Sequence, residues 1–156
     1  MLYQKYKPLA SRVYCAGLAL LLVLSEVFSS NIQDTLPGFS RIMRLGLTGC
    51  AVLLLAGKII LLTGYEARWQ KVLIAVVLVY TAFSSWYGGD LWFFLAALVG
   101  LGAKDVDWET ALRVYLVTAV AGLVLVQLLH FATPLMPYNF YCRNWDFGYG
   151  HYNGFG

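Results

Sequence analysis

The chain has 156 residues, of which 60% are hydrophobic and only 12% are charged, and its mean hydropathy is +0.68. Soluble domains carry about 25% charged residues, so this composition argues against a soluble protein and predicts an integral membrane protein. The net charge of +3 comes from cations near the ends of apolar segments, which indicates membrane topology and not a nucleic-acid surface.

Five apolar segments follow one another along the chain, each close to or somewhat below the length of a membrane-spanning helix. They cover about residues 13–30, 42–63, 72–87, 91–103 and 111–131. We therefore predict an all-α integral membrane protein, a single polytopic domain over residues 1–156 with about five transmembrane helices. The third and fourth segments are short. We interpret them either as tilted spans that meet at a tight turn or as a re-entrant hairpin.

The distribution of Lys and Arg predicts the orientation of these segments. Seven cations are expected on the cytoplasmic side: Lys5, Lys7, Arg12, Arg68, Lys71, Lys104 and Arg113. Three are expected outside: Arg41, Arg44 and Arg143. By the positive-inside tendency the N-terminus is cytoplasmic and the tail, residues 132–156, is extracytoplasmic. The connector from residue 31 to residue 40 contains Asp34, Pro37 and Gly38, which favour turns.

Two cations lie within the second apolar segment. Arg44 and Lys58 are 14 residues apart, close to four helical turns, so they face roughly the same way. One interpretation is a pair of cations that extend to water from opposite ends of one helix. The other is a cationic stripe facing a water-filled cavity. Arg41 and Arg44, on the outer side, could also meet lipid-linked phosphates.

The most polar stretch before the tail is residues 103–110, AKDVDWET. Its three carboxylates are compatible with a cation site or acid–base chemistry. Because they lie beside the start of the last apolar segment, helix capping is the better interpretation, and Asp107 is predicted to be the N-cap. His130, at the far end of that segment, is interpreted as an interfacial anchor.

The tail combines glycines and aromatic rings with three polar side chains. Arg143 presents a permanently charged fork suited to phosphate, and His151 can accept a proton near neutral pH. Asn153 can pair a sugar hydroxyl, while Gly150 allows close backbone approach and Tyr149 offers a stacking face. No cofactor or metal site is implied. A non-catalytic interfacial tail would have a similar composition, so that alternative stays open.

Two segments carry a resemblance to a known family. The tail Arg143…FGYGHYNGFG resembles the R-x-S-L-G-F-G-H-P-N-x-x-G signature of the polytopic polysaccharide polymerases of Gram-positive capsule and exopolysaccharide loci. The earlier stretch 102–108, GAKDVDW, resembles the G-A-K-x-(I/V)-x-(F/W) segment that precedes that signature. Tyr152 stands where proline is usual and Asp146 where a small polar residue is usual. Family members are longer, so the resemblance implies that this chain is the N-terminal part of such a protein.

The resemblance implies a metal-free glycosyl transfer at the outer face of the bacterial cytoplasmic membrane. A glycan on an undecaprenyl-diphosphate carrier would pass to another lipid-linked repeat unit, as in O-antigen polymerases and ligases. Arg143 would bind the leaving diphosphate, His151 would orient or deprotonate the acceptor hydroxyl, and Asn153 would position a sugar. Expected partners are the lipid-linked oligosaccharide, the bilayer and other polysaccharide assembly proteins, with no nucleic acid. The alternatives are a small non-enzymatic membrane scaffold or a transporter fragment.

Overall fold

The structure, a computed structural model, describes residues 2–29, 36–65, 67–132, 140–141 and 144–145, with side chains described for 6–26, 36–65 and 67–132. This part of the chain contains five α-helices: α1 Leu2–Ser29, α2 Pro37–Gly57, α3 Arg68–Gly88, α4 Trp92–Gly102 and α5 Trp108–Ala132. A π-helical turn, Lys58–Leu62, continues α2. Two short strands, β1 (Phe140–Tyr141) and β2 (Asn144–Trp145), pair antiparallel, with Phe140 opposite Trp145.

Four of these helical segments are long and apolar enough to cross a membrane. They are Tyr6–Glu26, Pro37–Leu62, Arg68–Gly88 and Trp108–Ala132. The predicted class, a helical membrane protein, is therefore confirmed for the described residues. The fourth predicted segment, 91–103, forms α4, which has 11 residues. It rises only about 16 Å, roughly half the thickness of a hydrocarbon core.

The surface of these helices matches a lipid environment. Large apolar side chains are widely exposed, and Leu61, Trp86 and Tyr87 are 79%, 85% and 85% exposed. In water such a continuous apolar surface would be an aggregation liability. In a bilayer it is the contact surface with lipid, because lipid tails are as apolar as the side chains they meet.

Helices α1 and α2 both begin earlier than the apolar segments predicted from the sequence. The N-terminal helix starts at Leu2, well before the apolar segment itself. The expected turn residues Pro37 and Gly38 lie inside the first turn of α2. Proline suits the first helical position, since its missing N–H would have no intrahelical partner there. The connector therefore ends before residue 37, and not at residue 40.

The turn between α3 and α4 forms where the sequence predicts it. Gly89 adopts a left-handed conformation, with φ of 68°, which glycine adopts without the Cβ clash of other residues. The Trp92 amide donates to Asp90 Oδ1 at 2.9 Å. The Phe94 amide donates to Ser85 Oγ at 3.1 Å. These bonds satisfy two of the four N–H groups that a helix start leaves unpaired, and they hold α4 against α3.

The chain divides into two compact units, residues 1–18 with 51–111 and residues 19–50 with 112–156. In the first unit α1 and α2 pack closely at Gly17. A Cβ at this position would lie only 2.8 Å from Leu55 Cγ, so a larger residue would not fit without a shift. Small residues at helix contacts are a usual means of close packing in membranes. The core of this unit includes Leu55 and Leu98, which are 0% and 1% exposed. In the second unit Gly122 packs against Glu26 in the same manner.

Candidate functional site

The residues predicted to form the site fall in two classes. Arg143, Tyr149, Gly150, His151 and Asn153 lie outside the described residues, so their assignment stays a prediction. Arg44 lies on α2, and its side chain is exposed.

Lys58, the first residue of the π-helical turn, is the largest fully buried side chain in the described part of the chain, at 0% exposure. Its Nζ donates to the carbonyl oxygen of Gly102 at 2.6 Å and to that of Lys104. Both acceptors lie at the C-terminal end of α4. The last carbonyl oxygens of a helix have no N–H donor within the helix and carry partial negative charge. A buried ammonium at this place supplies both a hydrogen-bond donor and an opposite charge.

This arrangement contradicts both interpretations of Lys58 drawn from the sequence. The side chain is fully buried, so its ammonium does not reach water; it binds backbone carbonyls 44 and 46 residues further along the chain. The π-helical turn lies at the same place as this contact. Such turns are rare and often occur at functional sites, because the wider turn changes the direction of its side chains.

Lys104 makes the reciprocal connection. Its Nζ donates to the Gly64 carbonyl oxygen at 2.6 Å and lies 4.6 Å from the centre of the Tyr65 ring. An ammonium at that distance is attracted to the ring face. Lys58 therefore joins the end of α2 to the turn after α4, and Lys104 joins that turn back to the loop after α2. We call residues 58–65 and 102–107 the two-lysine junction.

Gly102 and Asp107 of the GAKDVDW stretch also have structural roles. The ring of Tyr14 lies 3.3 Å from the point where a Cβ on Gly102 would stand, so glycine allows the helix end to approach α1. Thr110 donates to Asp107 Oδ2 through its backbone N–H, at 3.2 Å, and through its hydroxyl. Asp107 is therefore the N-cap of α5, which confirms the prediction. These two hydrogen bonds, led by that of the hydroxyl, lower the pKa of the Asp107 carboxyl.

A pocket of about 500 Å³ adjoins the junction. It lies between the π-helical turn, the loop after it and the first three turns of α3, and its lining includes Ile59, Tyr65, Lys71 and Ile74. Tyr65 Oη is buried beside the Thr63 side chain, which lies within hydrogen-bonding reach of it. Burial raises the pKa of this phenol, so it stays protonated and able to donate at neutral pH.

The described part of the site supports anchoring and binding more directly than bond cleavage. The junction brings together two ammonium groups, but each already binds backbone carbonyls. Sequence reasoning missed this cluster because its contacts join residues far apart in the chain. The available signal was Lys58 itself: a cation inside an apolar segment needs a buried partner or access to water. The chain matches no family model, no curated protein and no solved structure.

Proposed function

We propose that this chain is part of a membrane glycosyltransferase that polymerises lipid-linked oligosaccharide repeat units at the outer face of a bacterial cytoplasmic membrane. The acting groups are His151 and Arg143, with Asn153, Gly150 and Tyr149 in the substrate site. Arg44 assists with the diphosphate. The tail signature and the GAKDVDW stretch, in the family's order and spacing, are the basis of the proposal.

One observation of the structure supports the membrane topology that this chemistry requires. Lys104 Nζ donates to the Gly64 carbonyl oxygen at 2.6 Å, so the chain before α3 and the chain after α4 lie close together, and on this proposal both lie at one membrane surface. The pair then adds no net crossing, whether or not α4 reaches the far side. With α1, α2 and α5 each crossing once, an odd number of crossings carries the chain from the N-terminus to residue 132. A cytoplasmic N-terminus then gives an external tail.

Cysteine labelling tests this topology. In a variant that keeps Cys142 and replaces Cys15 and Cys50 by Ser, we expect a membrane-impermeant maleimide added to intact cells to label Cys142. Cys50 is exposed and Cys15 is buried in the structure, and removing both leaves Cys142 as the single reporter within these 156 residues. If labelling occurs only after the cells are opened, the tail is cytoplasmic and the enzyme proposal is abandoned.

The site assignment is tested by polymer length in cells that produce the repeat unit and depend on the gene that contains this chain. We expect His151→Ala and Arg143→Ala to abolish polymer while single repeat units persist, since each removes a group acting on the reaction. His130→Ala is the matched control: a second histidine, at the end of α5, whose ring packs edge-on against Phe131 at 4.8 Å. Polymer of unchanged length in the His151 and Arg143 variants would refute the assignment.

A non-enzymatic scaffold is the second candidate, and the exposed aromatic surface near the α3–α4 turn favours it. Trp86 and Tyr87 are both 85% exposed, and aromatic rings are common at membrane interfaces and in partner contacts. This alternative predicts that His151→Ala has no effect. Trp86→Ala would instead weaken co-purification of the assembly proteins.

A further inference from the structure

The length of α4 limits how far the α3–α4 pair can enter the membrane. The C-terminal residue of α4, Gly102, is followed closely by Lys104 and Asp107, which are both exposed. This end of the helix therefore lies at a membrane surface, because charged side chains avoid the hydrocarbon core. The helix has 11 residues, so its N-terminal residue, Trp92, lies only about 15 Å from that surface.

The turn between α3 and α4 is too short to complete a crossing. Residues 89–91 would add about 10 Å if they were fully extended. They are instead folded into a turn by the left-handed Gly89 and the Asp90 cap. The turn thus lies less than about 25 Å from the surface at Gly102, whereas the hydrocarbon core is about 30 Å thick. The pair therefore enters the membrane and turns back before the far side.

Helix α3 is long enough to cross a membrane, but its extra length lies at the opposite end from the turn. The two helices pack against each other, and the bond from the Phe94 amide to Ser85 Oγ places these residues at one level. From that level α4 continues for 8 residues to Gly102, while α3 extends back over 17 residues to Arg68. Helix α3 thus projects about 14 Å past the end of α4. This projection begins with the exposed cations Arg68 and Lys71, which suit the headgroup layer and the water beyond it.

The turn of this hairpin is both exposed and charged. Residues 86–90, which we call the hairpin tip, are all exposed, and the Trp86 side chain is 85% exposed. Asp90 is the only charged residue between Lys71 and Lys104. Irregular backbone and charged side chains are tolerated at membrane depth only where protein buries them or water reaches them. Because the tip is exposed, water is what reaches it.

From these observations we propose that α3 and α4 form a re-entrant hairpin whose tip lines a water-filled vestibule, open to the membrane surface opposite Lys104. We further assign to Asp90 the role of making this vestibule favour cations over anions, since a carboxylate with apolar neighbours concentrates ions of opposite charge. Asp90 Oδ1 already accepts a hydrogen bond from the Trp92 amide, so the start of α4 has its negative partner within the chain. On the orientation proposed above, the vestibule opens to the outside; the hairpin geometry itself does not depend on glycosyl transfer.

Labelling of single cysteines in intact cells tests the vestibule. Three variants each keep one cysteine, with the other native cysteines replaced by Ser: Gly38→Cys, Gly88→Cys and a variant that keeps only Cys50. Gly38 and Gly88 are both exposed helical glycines with open space at the Cβ position, and Gly38, in the first turn of α2, is expected at the outer surface. Cys50 is exposed in the middle of the second span and should face lipid.

A small cationic methanethiosulfonate added outside should label Gly38→Cys and Gly88→Cys but not Cys50. A maleimide carried on a bulky polyethylene glycol should label Gly38→Cys only, because it is too large for a vestibule. Labelling of Gly88→Cys by the bulky reagent would mean that the tip reaches the surface, and labelling by neither reagent would mean that no vestibule opens there. Either result would overturn the proposal. If Gly88→Cys is not produced, Tyr87→Cys replaces it, at a side chain that is 85% exposed.

Gly38→Cys also separates a failure of the hairpin from a failure of the proposed function. If Gly38→Cys is labelled only after the cells are opened, the orientation is reversed and the enzyme proposal fails. The two reagents then decide the hairpin geometry in opened cells, by the same pattern of labelling at Gly88→Cys.

The role of the carboxylate is tested by comparing cationic and anionic methanethiosulfonates on the Gly88→Cys variant. Asp90→Asn keeps a side-chain oxygen for the Trp92 amide and removes the charge. It should lower the ratio of cationic to anionic labelling rates by about tenfold. Asp107→Asn is the matched control, since Asp107 also caps a helix but lies at the opposite surface; it should leave the ratio unchanged. An unchanged ratio in Asp90→Asn, or an equal fall in both variants, would refute the role of Asp90.

Discussion

The two ends of α4 satisfy their unpaired backbone groups in opposite ways. At the N-terminal end, oxygen atoms of Asp90 and Ser85 accept hydrogen bonds from the Trp92 and Phe94 amides. At the C-terminal end, the Lys58 ammonium donates to the Gly102 and Lys104 carbonyls. Each end thus receives the charge or dipole that complements the helix macrodipole. An 11-residue helix in a membrane protein depends on such partners, because lipid supplies none.

The two ends differ in burial, and burial decides how much each contact contributes to stability. At the N-terminal end the charged partner, Asp90, is exposed, although Ser85 is buried; at the C-terminal end both Lys58, at 0% exposure, and Gly102 are buried. An acceptor that loses its donor near the surface is reached by water. A buried acceptor keeps the full desolvation penalty, about 1–3 kcal/mol. We therefore expect the C-terminal end of α4 to be the more sensitive to substitution.

The largest effect is expected for Lys58→Met, which keeps most of the side-chain length and removes the ammonium. The Gly102 carbonyl would then be buried without a donor, and the turn after α4 would lose its connection to α2. We expect a loss of about 3 kcal/mol, measured as a lower Tm of the purified protein in detergent.

Lys71→Met is the matched control for that experiment, since Lys71 is an exposed lysine at the start of a span. It should shift Tm by much less. Burying an ammonium is itself costly, and replacing buried charges by apolar groups is sometimes stabilising. A Tm of Lys58→Met equal to or above that of the wild type would mean that this cost exceeds the gain from the two hydrogen bonds, and the proposed role of Lys58 would be wrong.

Local features of this fold were predictable, and the contact that organises it was not. The turn around Gly89 and the Asp107 cap depend on residues within four positions of one another, where φ preferences and side-chain reach decide the outcome. The bond from Lys58 to Gly102 joins residues 44 positions apart. Neither periodicity nor propensity carries that information, because it depends on which helices pack together. A lysine in an apolar segment indicates only that some partner exists, and not which residue it is.

The bounds of α4 were also predictable, since the apolar run 91–103 forms the helix Trp92–Gly102. The run did not show that a bond from Lys58 holds the end of this helix beside the loop after α2. Of the predicted site, only Arg44 lies among the described residues, and its exposed side chain on α2 is compatible with the proposed contact to a diphosphate. The catalytic residues are predicted from sequence pattern alone.

An intermediate effect is expected for Gly89→Ala at the other end of α4. With φ of 68° at this position, a Cβ costs about 1–2 kcal/mol, so Tm should fall, but by less than in Lys58→Met. Gly88→Ala is the matched control: Gly88 is the last residue of α3, has no positive φ and has open space at its Cβ. There alanine should be neutral or stabilising. Equal losses in both variants would show that the left-handed conformation is not the cause.

The smallest effect is expected at the start of α5, where Asp107 caps the helix much as Asp90 caps α4. Hydrogen bonds from the Thr110 hydroxyl and N–H hold the pKa of Asp107 below its usual 3.8. A carboxyl with a lowered pKa contributes stability that is fully present above the unfolded-state pKa and is lost as pH falls through the folded-state value. Thr110→Val removes the hydrogen bond from the Thr110 hydroxyl, so the Tm difference from the wild type should be constant above about pH 5 and shrink below it.

The control is the same substitution in an Asp107→Asn background, where the Tm difference should not change with pH. With Asp107 unchanged, a Tm difference between Thr110→Val and the wild type that is equally large at low and neutral pH would contradict this. Thr110 would then act by packing and not through the charge of Asp107.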